Sequence, residues 1–313
     1  MLALVVRRLL SVIPVLAVVA VVVFLMLRLT PGDPAAVIAG DSATADEVAR
    51  IRSTLGLDRA LHEQFAIWIV RLAAGDFGES FYFKLPVTVL IVQRLEPTLA
   101  LAGFAATLAV LMAVPLGVLA AHRAGSLLDR AVMSVSVLGF SVPVFALGYL
   151  LIHLLAVERG WFPVQGYARI TEGLPAFLHR LVLPGTTLAI VYMALIARMT
   201  RTSMLEVLAE DYIRTARAKG AATPVVLLRH ALRNAAVPIL TVVGIGVALL
   251  ISGAVVTETV FGIPGLGRLT VEAVLSRDFP TIQAVILLFS GVYVLINLLI
   301  DIAYILLDPR IRP

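Results

Sequence analysis

The 313-residue chain contains no cysteine and few charged residues. The absence of cysteine excludes disulfide bonds, thiolate metal sites and cysteine nucleophiles, although it does not identify the compartment. Only 14% of the residues are charged, whereas about a quarter are charged in a typical soluble domain. With 60% hydrophobic residues and a mean hydropathy of +1.02, the chain has more apolar surface than a compact soluble fold could bury. We therefore expect an integral membrane protein.

Histidine and lysine are also scarce. The five histidines show no pairing at helical spacing, so the sequence predicts no metal site. The motifs His-Glu-x-x-His and Gly-x-Ser-x-Gly are absent, which argues against a membrane enzyme and leaves no catalytic residue to name. Both lysines, Lys84 and Lys219, lie outside any Gly-x-x-x-x-Gly-Lys-Ser/Thr phosphate loop. A partner must therefore bind ATP if ATP drives this protein.

Long apolar segments predict the fold class. Six of them can cross roughly 30 Å of hydrocarbon at 1.5 Å per residue. They cover residues 9–29, 97–121, 131–157, 181–197, 235–257 and 282–307. The first apolar run, from Leu9 to Leu27, is longer than the apolar region of a signal peptide, so we interpret it as a retained span. The sequence thus predicts an all-α integral membrane fold with six transmembrane helices.

Arginine residues predict the orientation of these spans. They are concentrated at the N-terminus, in the connections after the second and fourth spans, and in the C-terminal tail. All four segments fall on one side of a six-span fold, and the positive-inside rule places that side in the cytoplasm. Topology therefore accounts for the net charge of +5, which does not indicate nucleic-acid binding. We expect a multi-pass protein with both termini in the cytoplasm.

The spans divide the chain into four parts. We expect an N-terminal transmembrane helix over residues 1–29, an external insertion over 30–94, a core over 95–307 and a cytoplasmic tail over 308–313. The insertion is too long for a bare connection. A turn is expected at residues 30–34, a capped helix start at Thr44, and a further helix around residues 61–73. The insertion is therefore predicted to be α-rich.

The connection between the fourth and fifth spans, residues 198–234, carries the most information about mechanism. Acidic residues come first and basic residues later from Glu206 to Lys219, as the helix dipole prefers. Gly220 can end that helix, and Pro224 can begin a second short one. This pattern predicts a helix–turn–helix hairpin of about forty residues, long enough to dock a soluble partner. The alternative is a positive loop that only anchors the topology.

Motifs along nearly the whole chain resemble one family of membrane permeases. In order they read LTPGDP, GDFGES, LIARMTRTSMLEVL, DYIRTARAKG, VFGIPGLGRL and LLDPRIR. Together they resemble the permeases of ABC importers, in the branch that transports dipeptides, oligopeptides and nickel. The cytoplasmic signature of that superfamily contains a glycine, which Gly220 matches, whereas the residues around it follow the form typical of the peptide branch.

The resemblance implies a role for each part of the hairpin. The residues implied to form a coupling helix, which inserts into an ATPase subunit, are Arg214, Thr215, Ala216, Arg217, Lys219, Gly220, Ala221 and Pro224. It also implies a second homologous permease subunit, two ATPase subunits that bind ATP and magnesium, and an external substrate-binding protein. This chain itself then needs no cofactor, and it resides in a bacterial inner membrane. The two permeases would share one pathway with alternating access.

Polar residues inside or beside the spans are candidates for that pathway. They are Ser134, Ser141, Thr186, Ser252 and Glu258. The alternative for the serines and threonines is a hydrogen bond to their own helix, and for Glu258 an ion pair with an arginine such as Arg268. The glycine-rich segment Phe261–Leu269 is interpreted as an external gate element, with an ordinary re-entrant turn as the alternative.

Two questions about function stay open in the sequence. Dipeptides or short oligopeptides are the expected substrates, with nickel chelates and glutathione as alternatives. A proton-coupled secondary transporter is the alternative from another class. Such a transporter is expected to show several ionisable residues at the middle of the membrane and often inverted repeats, and the sequence shows neither clearly.

Overall fold

The computed structural model describes residues 2–29, 35–36, 44–54 and 56–307, and this part of the chain is almost entirely helical. Its only extended pairing is one isolated bridge between Glu79 and Pro86. Helices suit a bilayer because they satisfy every internal backbone hydrogen bond within one segment. The prediction of an all-α membrane fold is therefore confirmed.

Eleven helices within the described ranges are numbered here in chain order. They are α1 (Leu2–Leu29), α2 (Ala45–Thr54), α3 (Leu61–Ala73), α4 (Val87–His122), α5 (Leu127–Ser141), α6 (Val144–Val157), α7 (Leu174–Leu208), α8 (Asp211–Ala218), α9 (Thr223–Val260), α10 (Leu266–Leu275) and α11 (Phe279–Leu307). Two of them contain a π-helical segment, Ile152–Val157 at the end of α6 and Val226–Ala231 near the start of α9.

The helices that the structure describes account for four or five of the six predicted spans. Helices α4, α7, α9 and α11 are each long and apolar enough to cross a membrane, and α5 with α6 makes a fifth if that bent pair is one span. The apolar stretch described within α1, Val12–Met26, is shorter. Four or five spans are therefore established by length and composition, and the sixth stays a prediction.

The third predicted span, residues 131–157, consists of two helices that meet at a bend. It is broken between Ser141 and Val144, where α5 and α6 meet at 104°. Val142 is extended, with φ −86° and ψ 126°. Proline explains this, because its ring disfavours the helical conformation for the residue before it and it has no N–H to continue the helix. Pro143 therefore ends one helix and begins the next.

The helix that contains the fourth predicted span, residues 181–197, extends beyond that span at both ends. Helix α7 has 35 residues, or about 52 Å at 1.5 Å per residue. Charged side chains near both ends, such as Arg180 and Arg198, lower the local hydropathy. Arginine is nevertheless a good helix former, so the helix continues where the apolar run stops.

The chain divides into two compact units. One consists of residues 1–95 and 269–294, and the other of residues 96–268 and 295–313. The expected core, residues 95–307, includes residues 269–294, which belong to the first unit. The four expected domain boundaries stay a prediction.

In the first unit, the insertion after α1 contains the two expected helices, α2 and α3. Helix α2 begins with the expected cap, in which the Thr44 backbone N–H donates to Glu47 Oε2 at 2.8 Å. This hydrogen bond, with a second from the Thr44 hydroxyl, holds the pKa of Glu47 below its usual range. Helix α3 packs on α1 through the ring of Phe24, whose centroid lies 5.1 Å from Phe65 and 5.6 Å from Trp68. The turn predicted at residues 30–34 lies outside the described residues.

In the second unit, apolar side chains of α4, α6, α7 and α9 form one core. Its fully buried members include Leu101, Leu181, Leu188 and Ile263. Glycine permits a close approach here, because a Cβ at Gly185 would lie 2.3 Å from the ring of Phe104. Close packing of this kind drives helix association in membranes, where water provides no hydrophobic force between helices.

Candidate functional site

The predicted hairpin contains one short helix, α8, between two long ones. The predicted helix from Glu206 onward is interrupted, because α7 ends at Leu208. A tight turn follows, in which the Ala209 N–H donates to the carbonyl of Glu206 and the Glu210 N–H donates to the carbonyl of Val207. Glu210 is extended, with φ −68° and ψ 146°, and α8 starts after it. Asp211 lies in the first turn of α8 and Arg217 in the last, the order that suits the helix dipole.

Gly220 ends α8, as the sequence predicts. Its φ of +83° is a left-handed conformation that glycine adopts without strain. The Gly220 N–H donates to the carbonyl of Arg217 at 2.9 Å, and the Ala221 N–H donates to the carbonyl of Ala216 at 3.1 Å. These two hydrogen bonds make a Schellman motif, which satisfies the last carbonyl groups of α8.

The second short helix predicted at Pro224 is wrong. Proline in the first turn does begin a helix here, but that helix runs without a break from Thr223 to Val260. No glycine or proline occurs between Pro224 and Pro238, so no residue there stops it. The basic stretch that leads toward the membrane is therefore the first part of the spanning helix α9, and it includes the π-helical segment Val226–Ala231.

Most of the residues implied to contact an ATPase are exposed. The exposed ones are Arg214, Thr215, Arg217, Lys219, Gly220 and Pro224. Ala216 and Ala221 are half-buried. Arg214 forms an ion pair with Asp211 at 3.3 Å, but a solvent-exposed pair of this kind contributes little to stability. The hairpin thus presents a basic surface, named here the basic face and defined by Arg214, Arg217 and Lys219.

Sequence reasoning missed the residue that holds α8 in place. The side chain of Ile213 is fully buried in a cluster with residues of α4, α7 and α9. Its neighbour Tyr212 is 42% exposed, and burial, followed by the nearby Glu210 carboxylate, raises the pKa of its hydroxyl. A sequence signal existed, since Ile213 is the single large aliphatic residue in the polar segment DYIRTARA.

A second missed feature joins α5 to α7. The Arg201 guanidinium binds both carboxylate oxygens of Asp129, with Nη2 at 2.8 Å from Oδ2. Asp129 also accepts a hydrogen bond from the Gly125 N–H at 2.9 Å, and only 5% of its side chain is exposed. Bidentate pairs of arginine and carboxylate are among the strongest polar contacts in proteins. From the sequence, Arg201 counted only as one of the arginines in the connection 198–234 that predict the orientation.

Glu258 lies beneath the glycine-rich segment Phe261–Leu269. Its Oε1 accepts a hydrogen bond from the Thr98 hydroxyl at 2.6 Å, and its Oε2 accepts one from the Arg268 N–H at 2.9 Å. The carboxylate is fully buried. A Cβ at Gly265 would lie 2.3 Å from Glu258 Cδ, so the glycine lets the loop cover the carboxylate. These contacts account for Glu258 without a ligand, and its place in a pathway stays a prediction.

The same segment is fixed at further points. The Gly166 N–H donates to the carbonyl of Phe261 at 2.9 Å, and the Leu266 N–H donates to the Thr98 hydroxyl at 2.8 Å. The segment is thus an ordered turn attached to α4 and to the connection before α7. Its role as a gate stays a prediction.

The remaining pathway candidates differ in burial. Ser134, Ser141 and Ser252 are exposed, and Thr186 is half-buried. The Ser141 hydroxyl donates to the carbonyl of Val137 in its own helix at 2.8 Å, which is the alternative that the sequence left open. Ser141 also lines a cavity of about 100 Å³ between α5 and α7, together with Ser136 and Arg198. Contact of these side chains with a substrate stays a prediction.

These observations define an almost entirely helical, multi-pass membrane protein with a short, partly exposed helix between two long spans. Residues 113–313 match the family described as binding-protein-dependent transport system inner membrane component, and residues 1–102 match the N-terminal part of such components. The chain belongs to this family of transport permeases.

Curated relatives agree along the whole chain. A probable peptide ABC transporter permease protein, y4tP of Sinorhizobium fredii, is 55% identical over 307 residues, which cover 98% of each chain. A putative peptide transport system permease protein of Brucella abortus is 45% identical, over 100% of this chain and 99% of the relative. The glutathione transport system permease protein GsiC of Salmonella choleraesuis is also 45% identical, with the same coverage.

A solved structure shares the fold. It is that of the MetNI methionine ABC transporter in an inward-facing conformation, with a TM-score of 0.58 and 21% identity. The match covers 70% of this chain and 96% of the other. At this identity the likeness concerns the fold alone.

Proposed function

We propose that this chain is the permease subunit of an ATP-driven importer of small peptides. The observation that carries the proposal is the hairpin, where α8 presents an exposed basic face while Ile213 is buried against the long helices. A loop that only fixed the topology would need neither a capped helix nor a buried anchor. The peptide permeases among the relatives support the same conclusion.

The partners come from the family resemblance and agree with the chemistry of the chain. Both lysines lie outside a phosphate loop, and two ATPase subunits are proposed to bind ATP and its magnesium ion. The surface that meets them consists of Arg214, Thr215, Ala216, Arg217, Lys219, Gly220, Ala221 and Pro224. A second homologous permease completes the pathway, and an external binding protein delivers the substrate. The hairpin and both termini then lie in the cytoplasm, on the inner side of a bacterial inner membrane.

The pathway itself is proposed to involve Ser134, Ser141, Thr186, Ser252 and Glu258. Exposure of the three serines in this single chain is consistent with a surface that a second permease or a substrate contacts. Glu258 would act from a buried position, through the segment Phe261–Leu269 that covers it.

Small peptides are the proposed substrates, and glutathione is the second candidate. Both assignments come from relatives, since peptide permeases at 55% and 45% identity and a glutathione permease at 45% identity cover nearly the whole chain. Glutathione is itself a tripeptide, so the two candidates share an amide backbone and free carboxylates. Mass spectrometry of the ligand retained by the co-purified binding protein would separate them.

Charge reversal on the basic face tests the coupling role. The variant combines Arg217→Glu and Lys219→Glu, and the expected result is loss of the ATPase subunits from the purified complex and loss of ATP-dependent uptake. The matched control is Arg229→Glu, because Arg229 is exposed but lies on the π-helical segment of α9, beyond the proposed surface. If the double variant retains both its ATPase subunits and its uptake, the proposal is wrong.

A further inference from the structure

The short helix α8 is attached to the long helices by a single buried side chain. Ile213 is the one buried residue of α8, and it has no exposed surface. It packs in a cluster with Val226, Leu227 and Ala231, which all belong to the π-helical segment of α9. Ile213 is the only residue that α8 contributes to this cluster.

The cluster around Ile213 also includes two other helices. Val118 and Ala121 come from the end of α4, and Met204 comes from the last turns of α7. Met204 is fully buried like Ile213. Ile213 therefore lies where the ends of three long helices meet, and a shift of this side chain would press on all of them because close-packed interiors transmit strain.

A polar contact adds to this attachment. The side-chain amide of Asn234 donates to the carbonyl of His230, in the π-helical segment, at 2.7 Å. The same amide lies near enough to the Tyr212 hydroxyl, in the residue before Ile213, to oppose the rise in its pKa. Asn234 therefore lies beside α8, next to the segment of α9 on which Ile213 packs. Such π-helical segments often occur at functional sites, because their backbone geometry is offset from that of the flanking α-helix.

Gly220 does not act as a loose joint. The carbonyl groups at the end of α8 are held by the Gly220 and Ala221 N–H groups, and Ala221 is itself half-buried. The chain then enters α9 after two residues, at Thr223. With the C-terminal end capped and Ile213 buried, α8 cannot pivot without withdrawing that side chain from its cluster.

We propose that Ile213 is the positioning residue that transmits movement of α8 to the ends of α4, α7 and α9, so that the hairpin and these helix ends move as one body. This inference rests on the proposed function, since it assumes that an ATPase subunit moves α8. It adds that the force passes through a buried apolar contact, whereas the exposed basic face only binds the partner.

The first test compares Ile213→Ala with Ile213→Val in the complete transporter, reconstituted with its ATPase subunits and its binding protein. The alanine variant is expected to retain the ATPase subunits, because the basic face is unchanged. Its uptake per ATP hydrolysed should fall roughly fivefold or more, the usual size of a coupling between two sites. Valine retains the branched shape and should restore most of the ratio. Thr202→Ala is the control, because Thr202 is exposed and bonds only to Arg198 in its own helix.

A second test does not depend on the stability of the Ile213 variants. The chain has no cysteine, so Tyr212→Cys with Asn234→Cys introduces the only pair in it. Oxidation or a short bismaleimide then fixes α8 to α9. If the two elements move together, transport continues after cross-linking at the rate of the uncross-linked pair. If α8 swings relative to α9, transport stops and the reduced protein recovers it.

Three results would overturn the inference: an unchanged ratio of uptake to hydrolysis in Ile213→Ala, loss of the ATPase subunits from that variant, or arrest of transport by the cross-link. None of them is the result that would refute the proposed function. That result is retention of the ATPase subunits and uptake by the charge-reversed basic face, and it is measured in a separate variant.

Discussion

The hydroxyl of Thr98 donates a 2.6 Å hydrogen bond to Oε1 of Glu258, 160 positions later in the sequence. The same hydroxyl oxygen accepts the N–H of Leu266 at 2.8 Å, so one buried group joins α4, α9 and the start of α10. Both Thr98 and Glu258 are almost completely removed from solvent. A buried carboxylate needs such partners, because its desolvation is costly when they are absent.

Replacing Thr98 should therefore destabilise the second unit. Thr98→Val has nearly the same shape but leaves a carboxylate oxygen and a backbone N–H without their partner, at a cost of about 1–3 kcal/mol. Thr98→Ser retains the hydroxyl and should lose much less. The midpoint of thermal unfolding in detergent measures the difference, and equal midpoints for the two variants would contradict the assigned hydrogen bonds.

Glycine at position 265 should not tolerate a side chain. The Cβ of Gly265→Ala would lie 2.3 Å from Glu258 Cδ, so either the loop or the carboxylate must move, at a cost of about 1–3 kcal/mol. Gly291→Ala is the matched control, since a Cβ there meets no atom within 4 Å and alanine favours a helix by about 1 kcal/mol. The unfolding midpoint should fall in Gly265→Ala and rise in Gly291→Ala. An unchanged midpoint in Gly265→Ala would show that the loop does not cover Glu258 closely.

The Asp129–Arg201 pair should show coupling in a double-mutant cycle. Arg201→Met leaves the nearly buried Asp129 without its guanidinium, which is expected to cost about 1.5–3 kcal/mol. Arg201→Lys retains the charge but loses the two-pronged contact, so its loss should be intermediate. Asp129→Asn with Arg201→Met should recover part of the stability, and strictly additive losses would show that the two side chains do not interact.

The source of energy separates the proposed importer from a proton-coupled transporter. Depletion of ATP should abolish uptake, whereas a protonophore that collapses the proton gradient should leave it unchanged when ATP is supplied to reconstituted vesicles. A secondary transporter uses ionisable groups in the membrane and would respond in the reverse way. Uptake that follows the proton gradient at constant ATP would rule out the proposed function.

Much of the architecture could be predicted because bilayer-spanning segments are encoded locally. An apolar run of sufficient length indicates a span whatever surrounds it, and the end of α8 at Gly220 follows from the conformational freedom of one residue. The errors also have local causes. The break at Val142–Pro143 was missed because proline inside a span is often tolerated. The extension of α7 beyond its apolar span was not predicted because hydropathy does not measure helix propensity.

The sequence predicted the exposed part of the candidate site but not its buried contacts. The exposed basic face follows from residue types and order, since charged residues between spans must meet water. The buried attachments were not visible, because they join residues far apart in the chain. Ile213 with Met204, Thr98 with Glu258, and Asp129 with Arg201 are brought together by helix packing, and no local pattern records which distant side chain a residue will meet.

The sequence by itself therefore determined the membrane environment, the helical class, the family and the end of the short helix α8, since each depends on composition or on short motifs. Only the tertiary structure decided that Glu258 is covered by the glycine-rich segment and that α8 is anchored through Ile213. The physical reason is that a buried contact depends on two segments far apart in the chain. The local sequence of each segment does not specify which other segment it will pack against.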